Sequence, residues 1–196
     1  MLLATSARCC RGPGTTITVN RARPGDLIPQ TGDFGFTNPQ TARVTVAFGA
    51  TPQVRLAKAL TFWFPRDLAH EVSHSVRIRA GPGFGTTLLP QLITEGIATA
   101  FDQAAFPGPP DPWTHAITPA QECALWKKAK SQLGGAGLYD LWMFGGPHVP
   151  YWTGFTIGYH IVADYRSHHP GATWAALTSA SAAAILAGSH DQPCPR

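Results

Sequence analysis

The sequence HEVSH at residues 70–74 places two histidines four positions apart, with a glutamate directly after the first. On an α-helix, residues at this spacing lie one above the other, so both imidazoles can bind one ion at about 2.0–2.1 Å. Glu71 lies about 100° around the helix from His70, where its carboxylate can take a proton from a water molecule beside that ion. The motif therefore predicts a zinc (Zn²⁺) site, with His70 and His74 as ligands and Glu71 as general base.

A catalytic zinc ion needs a third protein ligand and an open position for water. The chain has three glutamates: Glu71 in the motif, Glu95, and Glu122, which falls in the first turn of a predicted helix and suits its dipole. Glu95 stands in the apolar stretch LITEGIA, where a charged carboxylate is costly to bury unless a cation neutralises it. We therefore predict Glu95 as the third ligand and expect Gly96 to allow close packing beside it. The alternative is that Glu95 faces solvent.

The elements that must hold these side chains begin with two predicted strands. Apolar and polar residues alternate at residues 15–20 and again at residues 43–48, which is the two-residue period of a strand. The stretch between them, residues 23–40, is dense in proline and glycine and predicts a series of turns. The N-terminal part of the chain should therefore form a small sheet.

The helix that carries the motif is expected to begin after Pro65 and to end at Gly81, since proline suits a first turn and glycine a C-terminus. Leu68, Val72 and Val76 follow one another at a spacing of four. They predict an apolar face that packs this helix against the core.

Further helices are predicted over residues 87–105, from a capping box at Thr118 and Gln121, and over residues 153–168. Strands first and helices afterwards indicate an α+β fold. No linker separates two cores, so we expect a single domain over residues 15–196, preceded by a disordered arm over residues 1–14.

Charge and hydropathy argue against a nucleic-acid-binding protein and against a membrane-spanning one. Charged residues make up 13% of the chain and the net charge is +4, with four arginines in the first 23 residues. Because no aromatic residues or nucleic-acid motif accompany these arginines, we expect a solvated arm and no nucleic-acid partner. No apolar run approaches the ~18 residues of a membrane span. Oligomeric state is left open.

The cysteines and the N-terminal residues do not determine the cellular compartment of the protein. Cys9, Cys10, Cys123 and Cys194 have no C-x-x-C spacing, so they predict no second metal site, and their redox state stays open. The first seven residues are too short for a signal peptide. This favours the cytoplasm, whereas a chain truncated at its N-terminus would be compatible with secretion or the cell envelope.

HEVSH followed by EGIA resembles the gluzincin metallopeptidases, which pair an HExxH motif with a downstream glutamate ligand. Residues 62–77, 92–101 and 152–159 more closely resemble a family of predicted bacterial zinc-dependent proteases. The resemblance implies a zincin-like helical domain, hydrolysis of peptide bonds, and a peptide or protein substrate. Many gluzincins have an acidic residue four positions after the ligand glutamate, where this chain has Thr99. Asp102, one further turn along, is the expected substitute for orienting a histidine.

Gluzincins also commonly stabilise the oxyanion of the reaction with a tyrosine or histidine from a later segment. Here Tyr159 and His160 are the matching candidates, with Tyr159 favoured because it lies in the stretch that resembles the protease family. The alternative is that Tyr159 is only a core aromatic residue of its helix. The strand at residues 43–48 is expected either to bind substrate along a free edge or to be a plain core strand.

Two other functions compete with peptide hydrolysis. The domain could be a non-catalytic zinc-binding interaction module, in which His148 or His160 supplies a fourth protein ligand. It could also be a non-peptidase amide hydrolase of the deformylase kind, which would need Cys9 or Cys10 as a ligand. A third alternative is that the two histidines merely pack or cap their helix. Glu71 favours catalysis, because a structural zinc site needs no carboxylate beside its first ligand.

Overall fold

The computed structural model describes residues 14–190, and within that range the chain opens with three strands: β1 (Ile17–Arg21), β2 (Asp33–Thr37) and β3 (Val44–Phe48). They form one sheet in the order β1-β3-β2, with β1 parallel and β2 antiparallel to β3. The predicted small sheet is confirmed. Of the two alternatives for residues 43–48, the free edge is wrong and the core strand is confirmed, because β3 is the central strand and pairs on both sides.

β2 lies inside the stretch predicted to form turns, and this is a second correction. Phe34 and Phe36 are exposed and alternate with buried Asp33 and Thr37, which is the two-residue period of a strand. Gly35 contributes no side chain to that pattern, and turn residues flank a strand of only five residues. The turn signals on both sides therefore obscured it.

Helices follow the sheet. A π-helical segment, Ala59–Trp63, joins the first two helices without a break, and Pro65 lies in the first turn of the second helix. The predicted end of the motif helix at Gly81 is confirmed, as is the capping box of Thr118 and Gln121. The α-helices are α1 (Leu56–Lys58), α2 (Phe64–Ala80), α3 (Leu88–Ala105), α4 (Pro119–Lys130), α5 (Tyr139–Phe144), α6 (Thr153–His168), α7 (Trp174–Ser179) and α8 (Ala182–Gly188).

The main hydrophobic core lies among the helices after α2. α3 and α6 pack so closely that a Cβ atom added to Gly96 would lie 2.1 Å from the carbonyl oxygen of Gly158. Gly96 thus allows close packing as expected, although its partner is α6 rather than α2. Large apolar side chains fill the space around this crossing, among them Leu92, Ile97, Trp126, Trp142, Ile157 and Ile161.

α2 buries its polar side, which contradicts the prediction for its apolar face. Val76 is exposed and Leu68 and Val72 are only half-buried, whereas His70, Glu71, Ser73, His74 and Arg77 are buried. Burying polar groups in this way is unfavourable unless each finds a partner. The orientation of α2 is therefore set by the partners of its buried polar groups rather than by an apolar face.

The architecture is α+β, with a three-stranded N-terminal sheet followed by a mainly helical region, as predicted. None of the helices in residues 14–190 combines the length and the apolar character needed to cross a bilayer. Residues 1–13 of the predicted arm, and with them Cys9 and Cys10, lie outside the described residues, as does Cys194.

Candidate metal centre

His70, Glu71 and His74 form a buried group on one side of α2. Ligand atoms of the three residues lie within 4.8 Å of one another. The imidazole rings of His70 and His74 meet edge to face, with centroids 4.6 Å apart. This is the arrangement expected from a spacing of four residues on a helix, and the three side chains together could hold a metal ion.

Glu95 reaches the two histidines from α3. Its Oε2 atom lies 3.1 Å from Nε2 of His70 and 3.2 Å from Nε2 of His74. Burial by itself raises the pKa of Glu95, but the imidazoles of His74 and His70 outweigh burial and hold this pKa well below its usual range. The carboxylate is thus buried and charged against both imidazoles, not exposed to solvent.

Glu71 is oriented by the sheet. The hydroxyl of Thr37 donates a hydrogen bond of 2.6 Å to Oε2 of Glu71, and it also lies 2.8 Å from the Glu71 carbonyl oxygen. Burial raises the pKa of Glu71, and the opposing effects of His74 and His70 do not cancel the rise. Gly35 faces this carboxylate, since an added Cβ atom would lie 2.6 Å from Oε1 of Glu71. β2 therefore covers the site closely.

Asp102 orients His70, as the sequence suggested. Its Oδ2 atom lies 3.1 Å from Nδ1 of His70, which leaves Nε2 of that histidine facing Glu95. Behind it, the buried Arg66 guanidinium lies 3.7 Å from Asp102 and 3.2 Å from Asp111. Asp102, with Arg66 behind it, thus fixes the direction of the His70 ring.

Carboxylates outnumber cations around this group. Asp33 and Asp67 lie nearby, and each has one buried oxygen without a hydrogen-bond partner in residues 14–190. Burial raises the pKa of Asp33 to about 6 and that of Asp67 well above its usual range. Burial and the neighbouring Asp102 raise the pKa of Asp111 to about 9. A bound cation would favour the charged forms of these carboxylates and so lower their pKa.

Tyr139 is a site residue that the sequence analysis missed. Its hydroxyl donates a hydrogen bond of 2.6 Å to Oε1 of Glu95, the oxygen that does not face the histidines. Its ring meets Phe84 edge to face, and Phe84 in turn meets His74. Burial and the nearby Glu95 charge raise the pKa of Tyr139 well above its usual range, so the hydroxyl keeps its proton and remains a donor.

The contacts described for Tyr159 and His160 are with residues outside the group around His70. Tyr159 is half-buried and packs against the hydrophobic core, with its ring 5.5 Å from that of His160. Nδ1 of His160 lies 2.7 Å from the buried carboxylate of Glu122. His148 lines a separate cavity beside α4, with Gln121 and Leu125. The group of ligand atoms around His70 includes neither His148 nor His160.

Two of the distances around Glu95 Oε2 are close to the separation of ligand atoms on a tetrahedral zinc ion. Ligand atoms about 2.0–2.1 Å from such an ion lie about 3.3 Å from one another. The 3.1 and 3.2 Å separations between Glu95 and the two Nε2 atoms agree with this. Glu71 is less suited to be the third ligand, because Thr37 already holds its Oε2 atom. The residues present therefore fit zinc.

Comparison with known proteins gives one match. Residues 57–187 of the 196-residue chain match the family described as "Predicted Zn-dependent protease (DUF2268)". This range contains the HEVSH motif, Glu95, Asp102 and Tyr139, and leaves out the sheet. No curated protein and no solved structure matches the chain. The matched range covers more than half of the sequence, and the chain therefore belongs to the DUF2268 family of predicted Zn-dependent proteases.

Proposed function

We propose that this protein is a zinc-dependent metallopeptidase of the gluzincin type, with His70, His74 and Glu95 as ligands and Glu71 as general base. The observation that carries the proposal is the contact of one Glu95 oxygen with Nε2 of both histidines. Two histidines and a glutamate are one of the ligand sets of catalytic zinc sites, which leave the fourth position for water. The family match supports a protease, and the gluzincin assignment goes beyond that match.

In this proposal each side chain has a separate task. Bound zinc would polarise the scissile carbonyl and lower the pKa of the attacking water. Glu71 accepts the proton of that water and delivers it to the leaving amine, and its raised pKa suits both steps. Thr37 holds the Glu71 carboxylate in place, Asp102 fixes the His70 ring, and Tyr139 holds Glu95.

We place the peptide along β2 rather than β3. The hydrogen bond from Asn38 to Arg43 fixes the alternation of the antiparallel ladder, so that the Gly35 N–H and C=O point away from β3. Those groups lie at the edge of β2 that no other strand of residues 14–190 covers, and an added Cβ atom at Gly35 would lie 2.6 Å from Oε1 of Glu71. A substrate in extended form can pair with such an edge.

A non-catalytic zinc-binding module remains the second candidate from the sequence. Such a module needs a fourth protein ligand. His148 lines a cavity beside α4, and His160 contacts Glu122. A non-catalytic zinc site also has no use for the Glu71 carboxylate, whose pKa is raised, beside the first ligand. A deformylase-like site would need Cys9 or Cys10, which lie outside the described residues. Catalysis therefore accounts for more of the arrangement.

The proposal is tested by metal content and proteolysis together. We expect about one zinc ion per chain, hydrolysis of an unfolded protein such as reduced casein, loss of activity with a chelator, and recovery with added zinc. Elemental analysis and a fluorescent casein assay measure both quantities. His74→Ala should lose the metal and the activity. Zinc-free protein after metal-supplemented preparation, or full zinc content in the His74→Ala variant, would contradict the assignment.

Variants of two tyrosines distinguish the positioning of a zinc ligand from the stabilisation of the oxyanion. Tyr139→Phe removes the hydrogen bond to Glu95, so we expect zinc affinity to fall about 10–100-fold, with turnover at saturating zinc less affected. We propose Tyr159 or His160 as the oxyanion donor. Tyr159→Phe should then lower turnover by about 10²–10³ without changing zinc affinity. Competition with a chromophoric chelator and initial rates at saturating zinc measure the two effects.

Each outcome assigns a role. Unchanged zinc affinity in Tyr139→Phe would contradict the positioning of Glu95. Near-normal turnover in Tyr159→Phe would move the donor role to His160, which His160→Gln then tests in the same assay.

A further inference from the structure

A cavity of about 490 Å³ lies at the Asp33 end of β2, between the N-terminal sheet and the segment that precedes α6. Its lining is mainly apolar and includes Leu27, Ile28, Phe34, Tyr151 and Trp152. Phe34 and Tyr151 are 44% and 52% exposed, so two large rings of this lining are open to solvent. The volume falls in the range of small-molecule and side-chain binding sites.

Both walls of this cavity are close in the chain or in space to residues that contact the candidate site. On one side, Phe34 directly precedes Gly35, which lies against the Glu71 carboxylate. On the other side, Tyr151 lies 6.1 Å from Phe144, and Phe144 lies 5.8 Å from Tyr139, ring centre to ring centre. Tyr139 itself contacts Glu95. One residue of the lining is therefore next in the chain to Gly35, and another is two ring contacts away from Tyr139.

The backbone at the cavity is unusually constrained. Trp152 has a φ of 65°, in the left-handed region that bulky residues rarely adopt. Its N–H donates to the Met143 carbonyl, and its own carbonyl accepts from the Thr156 N–H, so α5 and α6 hold it there. Strain of this kind is concentrated at ligand-binding sites. On the opposite wall, the Ile28 N–H pairs with the Asp33 carbonyl and closes the free edge of β2 next to the cavity.

We propose that this cavity is the specificity pocket for the peptide, and that it accepts an aromatic or large aliphatic side chain of a substrate paired with the β2 edge at Gly35. The proposal rests on the proposed peptidase function. A substrate residue paired beside Phe34 would place its side chain on the same face of the sheet as Phe34, which lines the cavity. Asp26, the charged residue of the lining, is exposed at the rim, so a basic side chain would find its counter-charge outside the apolar part.

The test compares two phenylalanines on the same face of β2. Phe34 lines the cavity and Phe36 does not, while their exposures are similar at 44% and 49%. Quenched peptides that differ only at one position, with Phe, Leu, Ala, Lys or Glu there, give kcat/KM for each side chain. The wild-type protein should prefer Phe over Ala at this position by about tenfold or more. Phe34→Ala should remove most of that preference, and Phe36→Ala should leave it within about twofold.

A binding readout separates this inference from the proposed function. Zinc-loaded Glu71→Gln protein should bind the Phe peptide more tightly than the Ala peptide by fluorescence polarisation, and adding Phe34→Ala should equalise the two. Absence of cleavage of every peptide by zinc-loaded wild-type protein, with selective binding retained, would overturn the peptidase function alone. Cleavage with equal preference for Phe and Ala, a preference for Lys, or equal effects of Phe34→Ala and Phe36→Ala would overturn the pocket.

Discussion

Replacing Glu71 by glutamine is expected to lower peptide hydrolysis by about 10²–10⁴-fold while zinc stays bound. An amide has nearly the same shape as the carboxylate and can still accept the hydrogen bond from Thr37. It cannot accept the proton of the attacking water at neutral pH. Burial raises the pKa of Glu71 toward the range in which a carboxylate can both take up and release a proton, and glutamine loses that property. Initial rates on a quenched peptide and zinc content from the same preparation measure the effect.

Thr37→Val gives a graded comparison. It removes the hydroxyl that orients Glu71 but keeps the carboxylate, so turnover should fall by about tenfold, well short of the Glu71→Gln loss. Zinc content should be unchanged in both variants. Hydrolysis within a factor of three of wild type in Glu71→Gln would remove the general-base assignment, and equal losses in the two variants would show that folding of the site, not proton transfer, was disturbed.

The proposed ligands could be recognised in the sequence because their chemistry is local. Two histidines at i and i+4 on a helix share a face whatever surrounds them, and the structure places their Nε2 atoms together. Glu95 was identified because a carboxylate in an apolar helix requires a partner. Asp102 was expected from the resemblance to gluzincins, as a substitute for the acidic residue missing at Thr99, and it contacts His70.

The remaining parts of the site depend on tertiary contacts that leave little trace in the sequence. Thr37 lies on a five-residue strand hidden among turn signals, and it meets Glu71 from 34 positions away. Tyr139 belongs to a helix of six residues, too short to show a helical period. The alternation of Phe34 and Phe36 was the one signal that could have revealed β2.

The apolar pattern of α2 was misleading for a physical reason. A periodic apolar face normally packs against the core because burial of that face is favourable. In α2 the charged side is buried instead, since His70, Glu71 and His74 find partners on β2 and α3. Arg77 extends the same pattern, donating to Thr94 on α3 and to carbonyl groups of residues 177, 178 and 180. Hydrogen bonds and ion pairs, rather than an apolar stripe, orient the helix that carries the motif.

Gly158→Ala is expected to destabilise the protein by about 3 kcal/mol or more, against the sign that helix propensity predicts. Alanine inside a helix is normally more favourable than glycine by roughly 0.5–1 kcal/mol. At Gly158, however, the added Cβ atom would lie 2.0 Å from the Leu92 carbonyl oxygen, so α6 must move away from α3. Glu95 is on α3, so the affinity for zinc should fall as well.

Urea unfolding measures the stability, and Gly171→Ala is the control, because an added Cβ atom there meets nothing within 4 Å. Equal or higher stability of Gly158→Ala would show that the α3–α6 crossing can relax.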